Sequence, residues 1–149
     1  MTDIQQLLDN NRRWARKLRE IEPDFFWSLS QQQAPRLLWI GCADSRVPAT
    51  QITGLLPGEM YVHRNVGNIV VPDDPNLLAA LEFGIEVLRV EHVIVCGHYG
   101  CTAVDAAIRG EAAPHVARWI HPLTELAQRH RSELASRTHG RVPGGGQAE

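Results

Sequence analysis

Residues 92–101 read HVIVCGHYGC. An apolar, β-branched core, Val93-Ile94-Val95, runs into Gly97, and a histidine and a cysteine follow three positions apart. A run this short and this rich in β-branched residues, stopped by a glycine, is predicted to be a buried strand over 92–98 rather than a helix. Two similar runs lie upstream. RLLWIGC (36–42) is bounded by Pro35 and Gly41 and ends on Cys42, and MYVHR (60–64) follows the Pro57-Gly58 turn. Between the second and third runs, residues 72–90 place Leu77, Leu78, Leu81, Ile85 and Leu88 at helical spacing behind an acidic first turn, which suits the helix dipole. Strands alternating with helices argue for an α/β domain with a mainly parallel β-sheet flanked by helices.

Helical spacing recurs at both ends. Ile4, Leu7, Leu8, Trp14 and Leu18 predict an amphipathic N-terminal helical arm over 3–20, capped by Asp3 and ended by Pro23. A short helix is predicted over 24–33, and another helical pattern over 115–136, carried by Val116, Trp119, Ile120, Leu123, Leu126 and Leu134. Residues 1–136 therefore read as one domain. Residues 137–149, with three consecutive glycines, read as a disordered tail. The 149 residues are 44% hydrophobic and 21% charged with a formal net charge of −2, enough for one real core. That near-neutral balance gives no electrostatic reason to expect nucleic acid as a partner. The first 17 residues lack the apolar core of a signal peptide and are too polar to span a bilayer, so a cytoplasmic location with no membrane partner is the expectation. Three cysteines, an odd number, then read as thiols or metal ligands rather than disulfides.

Ligands of open α/β sheets gather beyond the carboxyl ends of the strands. Cys42 and His98 both follow a strand-ending glycine there, with Cys101 three residues on. Two thiolates and an imidazole make a soft donor set that favours Zn2+, with a fourth position left for water. The alternatives are a capping imidazole beside a small buried thiol, or Cys42 as a nucleophile with Arg46 holding an anion. Cys96 sits inside the apolar run and reads as a packed core thiol. Asp44 and Arg46 can pair bidentately within CADSR, which would keep the carboxylate ionised and aimed; the plain reading is an exposed ion pair. Arg64 can bind an anion or simply end its strand in solvent.

CADSR (42–46), HRNVGN (63–68) and GHYGC (97–101), in this order and spacing, resemble the three signature blocks of the β-class carbonic anhydrases. The resemblance covers the chain from the N-terminal helix to about residue 130. It implies a zinc enzyme, a carbonate dehydratase, that interconverts carbon dioxide with bicarbonate and a proton by hydroxide attack at zinc. It implies one Zn2+ per chain on Cys42, His98 and Cys101, with Asp44 and Arg46 as the catalytic dyad. It also implies a homodimer or dimer of dimers, with Gln33, Tyr61 and Phe83 lining a substrate pocket at the interface. Trp39, Val47 and Arg64 resemble the residues marking the subset in which bicarbonate binds nearby. In that subset Asp44 swings onto zinc in a closed state, so activity would rise with pH.

Two departures accompany the likeness. Thr102-Ala103 stands where the family usually has two glycines, and tolerance is expected. Family members also continue past the point where this glycine-rich end takes over, which would expose apolar surface and a sheet edge and remove the third member of the bicarbonate pocket. The second reading is accordingly a catalytically impaired zinc-binding remnant, or an interaction subunit of a full-length homologue. A third keeps fold and zinc but changes the substrate, for example to carbon disulfide.

Overall fold

In the computed structural model, which describes residues 3–31 and 33–137, the centre of the molecule is β1 (Leu37–Cys42). Five of its six residues are buried. β2 (Met60–Asn65) and β3 (His92–Cys96) flank it, both parallel to it, in the order β2-β1-β3 among the described residues. The register sets Cys42 opposite Asn65 and Gly41 opposite both Arg64 and Cys96. All three strands therefore end on the same side of the sheet, and the loops that follow them converge there.

The helices follow from local signals. Asp3 accepts the N–H of Gln5 and starts α1 (Ile4–Ile21), an arm with no buried residue that meets α2 (Phe25–Gln31) through Trp14 edge-on to Phe26. α3 (Ala49–Thr53) joins β1 to β2 and ends on Gly54 in the left-handed conformation. Asp74 caps α4 (Pro75–Glu82), with Pro75 in its first turn. α4 continues into a π turn (Phe83–Val87), closed by the Leu88 N–H on the Phe83 carbonyl. The extra residue in this turn shifts the phase of the predicted stripe only from Ile85 onward, whereas Leu77 and Leu78, adjacent in the regular part of α4, cannot share one face. Leu77 is fully buried and Leu81 packs beside it, whereas Leu78 and Ile85 face outward.

α5 (Thr102–Arg109) follows the third strand, then α6 (Pro114–Trp119), α7 (His121–Arg129) and α8 (Arg131–Arg137). The single pattern over 115–136 is thus three short helices. Pro122 has no N–H for the Arg118 carbonyl, so the helix stops near Ile120 and restarts. Of the predicted tail, Arg137 instead closes α8, and 138–149 lie outside the described residues.

One apolar cluster, Leu38, Ile40 and Leu77, fills the face of the sheet under α4. A second, Trp39, Ala49 and Met60, fills the opposite face. A third lies at the carboxyl end of the strands and joins Cys42, Ile69, Cys101, Ala103, Ala107 and Ile120. The third strand departs from expectation in two ways. It ends at Cys96 rather than His98, and Val93, Ile94 and Val95 are exposed because β3 is the outer strand. Cys96 is therefore half-buried against the Trp39 cluster, not a packed core thiol; its Sγ donates to the Gly97 carbonyl at 3.3 Å. Among the described residues no helix is long and apolar enough to cross a membrane.

Candidate metal centre

The end of β1 and the single loop between β3 and α5 build the site. Cys42 is the last residue of β1, His98 lies two residues beyond β3, and Cys101 is the cap residue from which α5 departs. One ligand atom from each of the three lies within 4.8 Å of the others, and the two sulfurs are 3.8 Å apart. Both cysteines are buried and all three cysteines of the chain are free. Gly100, with φ of +63°, turns the chain between His98 and Cys101 so that both side chains point inward.

The donor set suits a soft metal ion. His98 Nδ1 lies 3.1 Å from the Tyr99 carbonyl, which fixes that nitrogen as the N–H and leaves the lone pair on Nε2. Nε2 is buried with no hydrogen-bond partner. An orphaned imidazole lone pair beside two thiols is costly unless something electrophilic sits among them. Burial opposes ionisation of Cys42 more than any other single influence. The neighbouring His98 ring, the backbone N–H groups of Asp44 and Gly67 and the Cys101 thiol together outweigh it and bring the thiol down to about 7.

Asp44 stands beside this cluster. Arg46 holds it with a two-pronged pair, Nε to Oδ1 at 2.9 Å and Nη2 to Oδ2 at 2.7 Å, and the Arg46 backbone N–H donates to Oδ1 at 2.9 Å. The Arg46 side chain, followed by its backbone N–H, keeps the Asp44 carboxyl well below the usual carboxylate range. Arg46 also donates to the Gly100 carbonyl at 2.9 Å, which ties the dyad to the loop carrying His98 and Cys101. Asp44 Oδ2 lies 3.8 Å from His98 Nε2. The Asp44 side chain is 12% exposed and that of Arg46 61%, so the carboxylate is sheltered while the guanidinium reaches solvent.

Arg64 is not a free strand-end charge. Its Nε donates to the Cys42 carbonyl at 2.8 Å and its Nη2 to the Asp44 carbonyl at 2.5 Å, so it braces the loop between metal cluster and dyad. Trp39 is buried on the β1 face that Gly41 leaves open: a Cβ at Gly41 would meet its indole nitrogen at 2.2 Å. Val47 is half-buried, and its N–H donates to the Asp44 carbonyl. Tyr61 and Phe83 face each other with ring centroids 6.0 Å apart and line a cavity of 320 Å³ together with His63 and Asn76. Gln33 is exposed in the loop before β1 and is not among the residues lining it. Thr102 is exposed and Ala103 is packed in the carboxyl-end cluster, so both fit the first turn of α5.

The carbonic anhydrase family model matches residues 37–143, past the point near residue 130 where the motifs alone lose the likeness. A carbonic anhydrase of Emericella nidulans is 36% identical over 129 residues, covering 87% of this chain and 57% of that protein. A solved structure, one of two tetrameric β-carbonic anhydrases from Sordaria macrospora, is 39% identical with a TM-score of 0.86 over 89% of this chain and 68% of its own. The chain belongs to the β-carbonic anhydrases. A β-carbonic anhydrase of Aspergillus fumigatus is 41% identical with a TM-score of 0.85, over 89% of this chain and 64% of its own. The chain spans little more than half the length of the Emericella carbonic anhydrase it matches.

Sequence reasoning passed over three residues of this β-carbonic anhydrase site. Asn65 closes the loop after β2, accepting the Ile69 N–H and donating to the Ile69 carbonyl, both at 2.8 Å. Gly67 brings its N–H to Cys42, and Trp119 reaches the same loop from α6. HRNVGN contains the first two, and its Asn and Gly were the available signal; the approach of Trp119 across 53 residues had none.

Proposed function

We propose that this chain catalyses the zinc-dependent, reversible hydration of carbon dioxide to bicarbonate and a proton. The observation that carries this reading is the orphaned His98 Nε2 between two buried thiols with the arginine-held Asp44 carboxylate 3.8 Å away. Cys42, His98 and Cys101 would hold Zn2+. Once bound, the metal supplies Lewis-acid activation of water, an effect whose standard example is itself a carbonic anhydrase. Asp44 accepts a hydrogen bond from the attacking water at Oδ2 and so aims the oxygen lone pair at the carbon of carbon dioxide. Arg46 keeps Asp44 ionised and directed, and Arg64 fixes the backbone on either side of it. Water adds across one C=O bond, and the released proton leaves to solvent. Tyr61 and Phe83 are proposed to line the substrate pocket, and Trp39, Val47 and Arg64 a bicarbonate site. Assembly as a homodimer or dimer of dimers is supported by the tetrameric Sordaria relatives. The free thiols favour a reducing, cytoplasmic setting.

A second reading, a zinc-binding subunit that works with a longer homologue, is favoured by the exposure of Val93 and Val95 on β3. Stopped-flow carbon dioxide hydration on zinc-loaded protein separates the two. Rapid hydration that falls roughly 100-fold in Asp44→Asn is the expected result. No hydration from a folded chain holding one zinc would overturn the enzyme and leave the subunit.

A further inference from the structure

The loop that follows β2 is a turn with an unusual hold on it. Asn65 is the register partner of Cys42, and the Asn65 carbonyl accepts the N–H of Ala43 at 2.7 Å and of Asn68 at 3.4 Å. Gly67 occupies the third position with φ of +84°, and Val66 before it has no positive φ, the combination a type II turn over 65–68 requires. The central peptide of such a turn, here the one joining Val66 to Gly67, can rotate about its flanking bonds to the type I form at small cost when glycine follows it. Rotation would carry the Gly67 N–H, which faces Cys42 Sγ, away from the sulfur.

Trp119 prevents that rotation. Its indole Nε1 donates to the Val66 carbonyl at 2.7 Å. The Val66 carbonyl and the Gly67 N–H belong to one peptide group, so Trp119 grips the oxygen end of the group whose hydrogen end faces the sulfur. Hydrogen bonds aligned through one amide polarise each other, so the grip also strengthens the N–H as a donor. The Trp119 ring is itself packed against the cluster that contains Cys42, Cys101 and Ile120. Space around Gly67 is limited too: a Cβ there would meet Leu123 Cδ1 at 3.2 Å and the Ala103 Cβ at 3.3 Å.

We infer that Trp119 is a positioning residue of the metal centre, holding the Val66–Gly67 peptide so that its N–H supports the Cys42 ligand. This rests on the zinc-site reading above. It assigns α6 a part in the site although that helix contributes no ligand. Partners in the shell beyond the ligands orient them and govern how firmly the metal is kept.

The test compares wild type, Trp119→Phe, a form with Trp119 replaced by benzothienylalanine, and Ile120→Val. The benzothienyl ring keeps the fused shape and lacks only the N–H, so it decides the matter if Trp119→Phe folds poorly. Ile120→Val loosens the same cluster without touching the hydrogen bond. Two quantities are read: the rate of zinc release to a chelator, and the thiolate-to-cobalt charge-transfer band after Co2+ substitution. The expected result is zinc release about 10-fold faster and a displaced band in both Trp119 replacements. Ile120→Val should lower Tm while leaving both readouts as in wild type. Release and band unchanged in the benzothienyl form would overturn the inference while leaving the zinc site standing. Failure of wild type to take up either Zn2+ or Co2+ would overturn the zinc site and this inference together.

Discussion

β1 and β3 are neighbours in parallel register, Leu37 opposite His92 through Gly41 opposite Cys96, and both are short apolar runs ended by a glycine or next to one. Their surroundings differ completely. Leu38 and Ile40 of β1 are buried to 0% and 2% exposure, whereas Val93 and Val95 of β3 are 46% and 55% exposed. β1 has a strand on each side, α4 over one face and the Trp39–Ala49–Met60 cluster on the other. Among the described residues β3 has a strand on one side only. Burial is thus conferred by neighbours and not by composition, and an apolar run records only that a strand is able to be covered. The chemistry does not follow the same division. Cys42 leaves the best-covered strand and His98 and Cys101 the least-covered one, yet all three meet, because the polar network beyond the sheet fixes them: Arg46 to Gly100, Arg64 to Cys42 and Asp44, Trp119 to Val66.

The contrast is broken or upheld most sharply by truncation. Leu38→Ala should cost about 2–5 kcal/mol, through lost transfer energy and the cavity left in a core that cannot collapse. Val95→Ala, at a half-exposed position of similar chemistry, should cost less than about 1 kcal/mol. Urea unfolding of the two variants under the same zinc loading gives the comparison. Equal losses would mean that β3 is covered in solution, by another copy of this chain or otherwise, and the description of it as an open edge would have to go.

A smaller effect belongs to the end of the sheet where the site lies. Gly67→Ala places a side chain in the left-handed region, at about 1–2 kcal/mol for an L-residue, and sets its Cβ against Leu123 and Ala103. Gly54 has a comparable φ of +68° with open space around it. Gly54→Ala should therefore show the strain alone, and Gly67→Ala the strain together with faster zinc release. Identical zinc release in the two variants would remove Gly67 from the group of residues that support Cys42.

The same contrast marks what could be read from the sequence. The three strands, the Asp3-capped arm and the convergence of Cys42, His98, Cys101, Asp44 and Arg46 were legible, because each rests on local patterning plus the rule that parallel strands release their loops at one end. The exposure of β3, and with it the half-buried state of Cys96, was not, because a run of residues carries no record of what lies beside it. Nor was the π turn at 83–87, where a smooth leucine stripe conceals one added residue. The split near Ile120 was foreshadowed by Pro122, whose missing N–H outweighs the helical spacing around it. The bracing roles of Arg64 and Trp119 depend on backbone carbonyls, which no side-chain pattern encodes.

At the far end of the two strands lies the least of the expected effects. Arg36 just before β1 and Glu91 just before β3 form a two-pronged pair, at 3.0 and 2.5 Å, over backbone hydrogen bonds from Glu91 and His92 to the Arg36 carbonyl. Hydrogen bonding from Arg36 lowers the Glu91 carboxyl from its ordinary value. A carboxyl lowered in the folded state stabilises it above the unfolded pKa, about 4.3, and that contribution is lost as the pH falls through the folded value. The pair is exposed, so salt screens it and its share of the stability is small. The expected outcome is a slightly lower urea midpoint for Glu91→Gln than for wild type near neutral pH. The gap should narrow as the pH is taken from about 6 towards 3, and again at about 1 M salt. A gap that kept its size in acid would show that Glu91 acts through its backbone contacts and packing, leaving the hydrogen-bonded ladder to hold the outer strand to the central one.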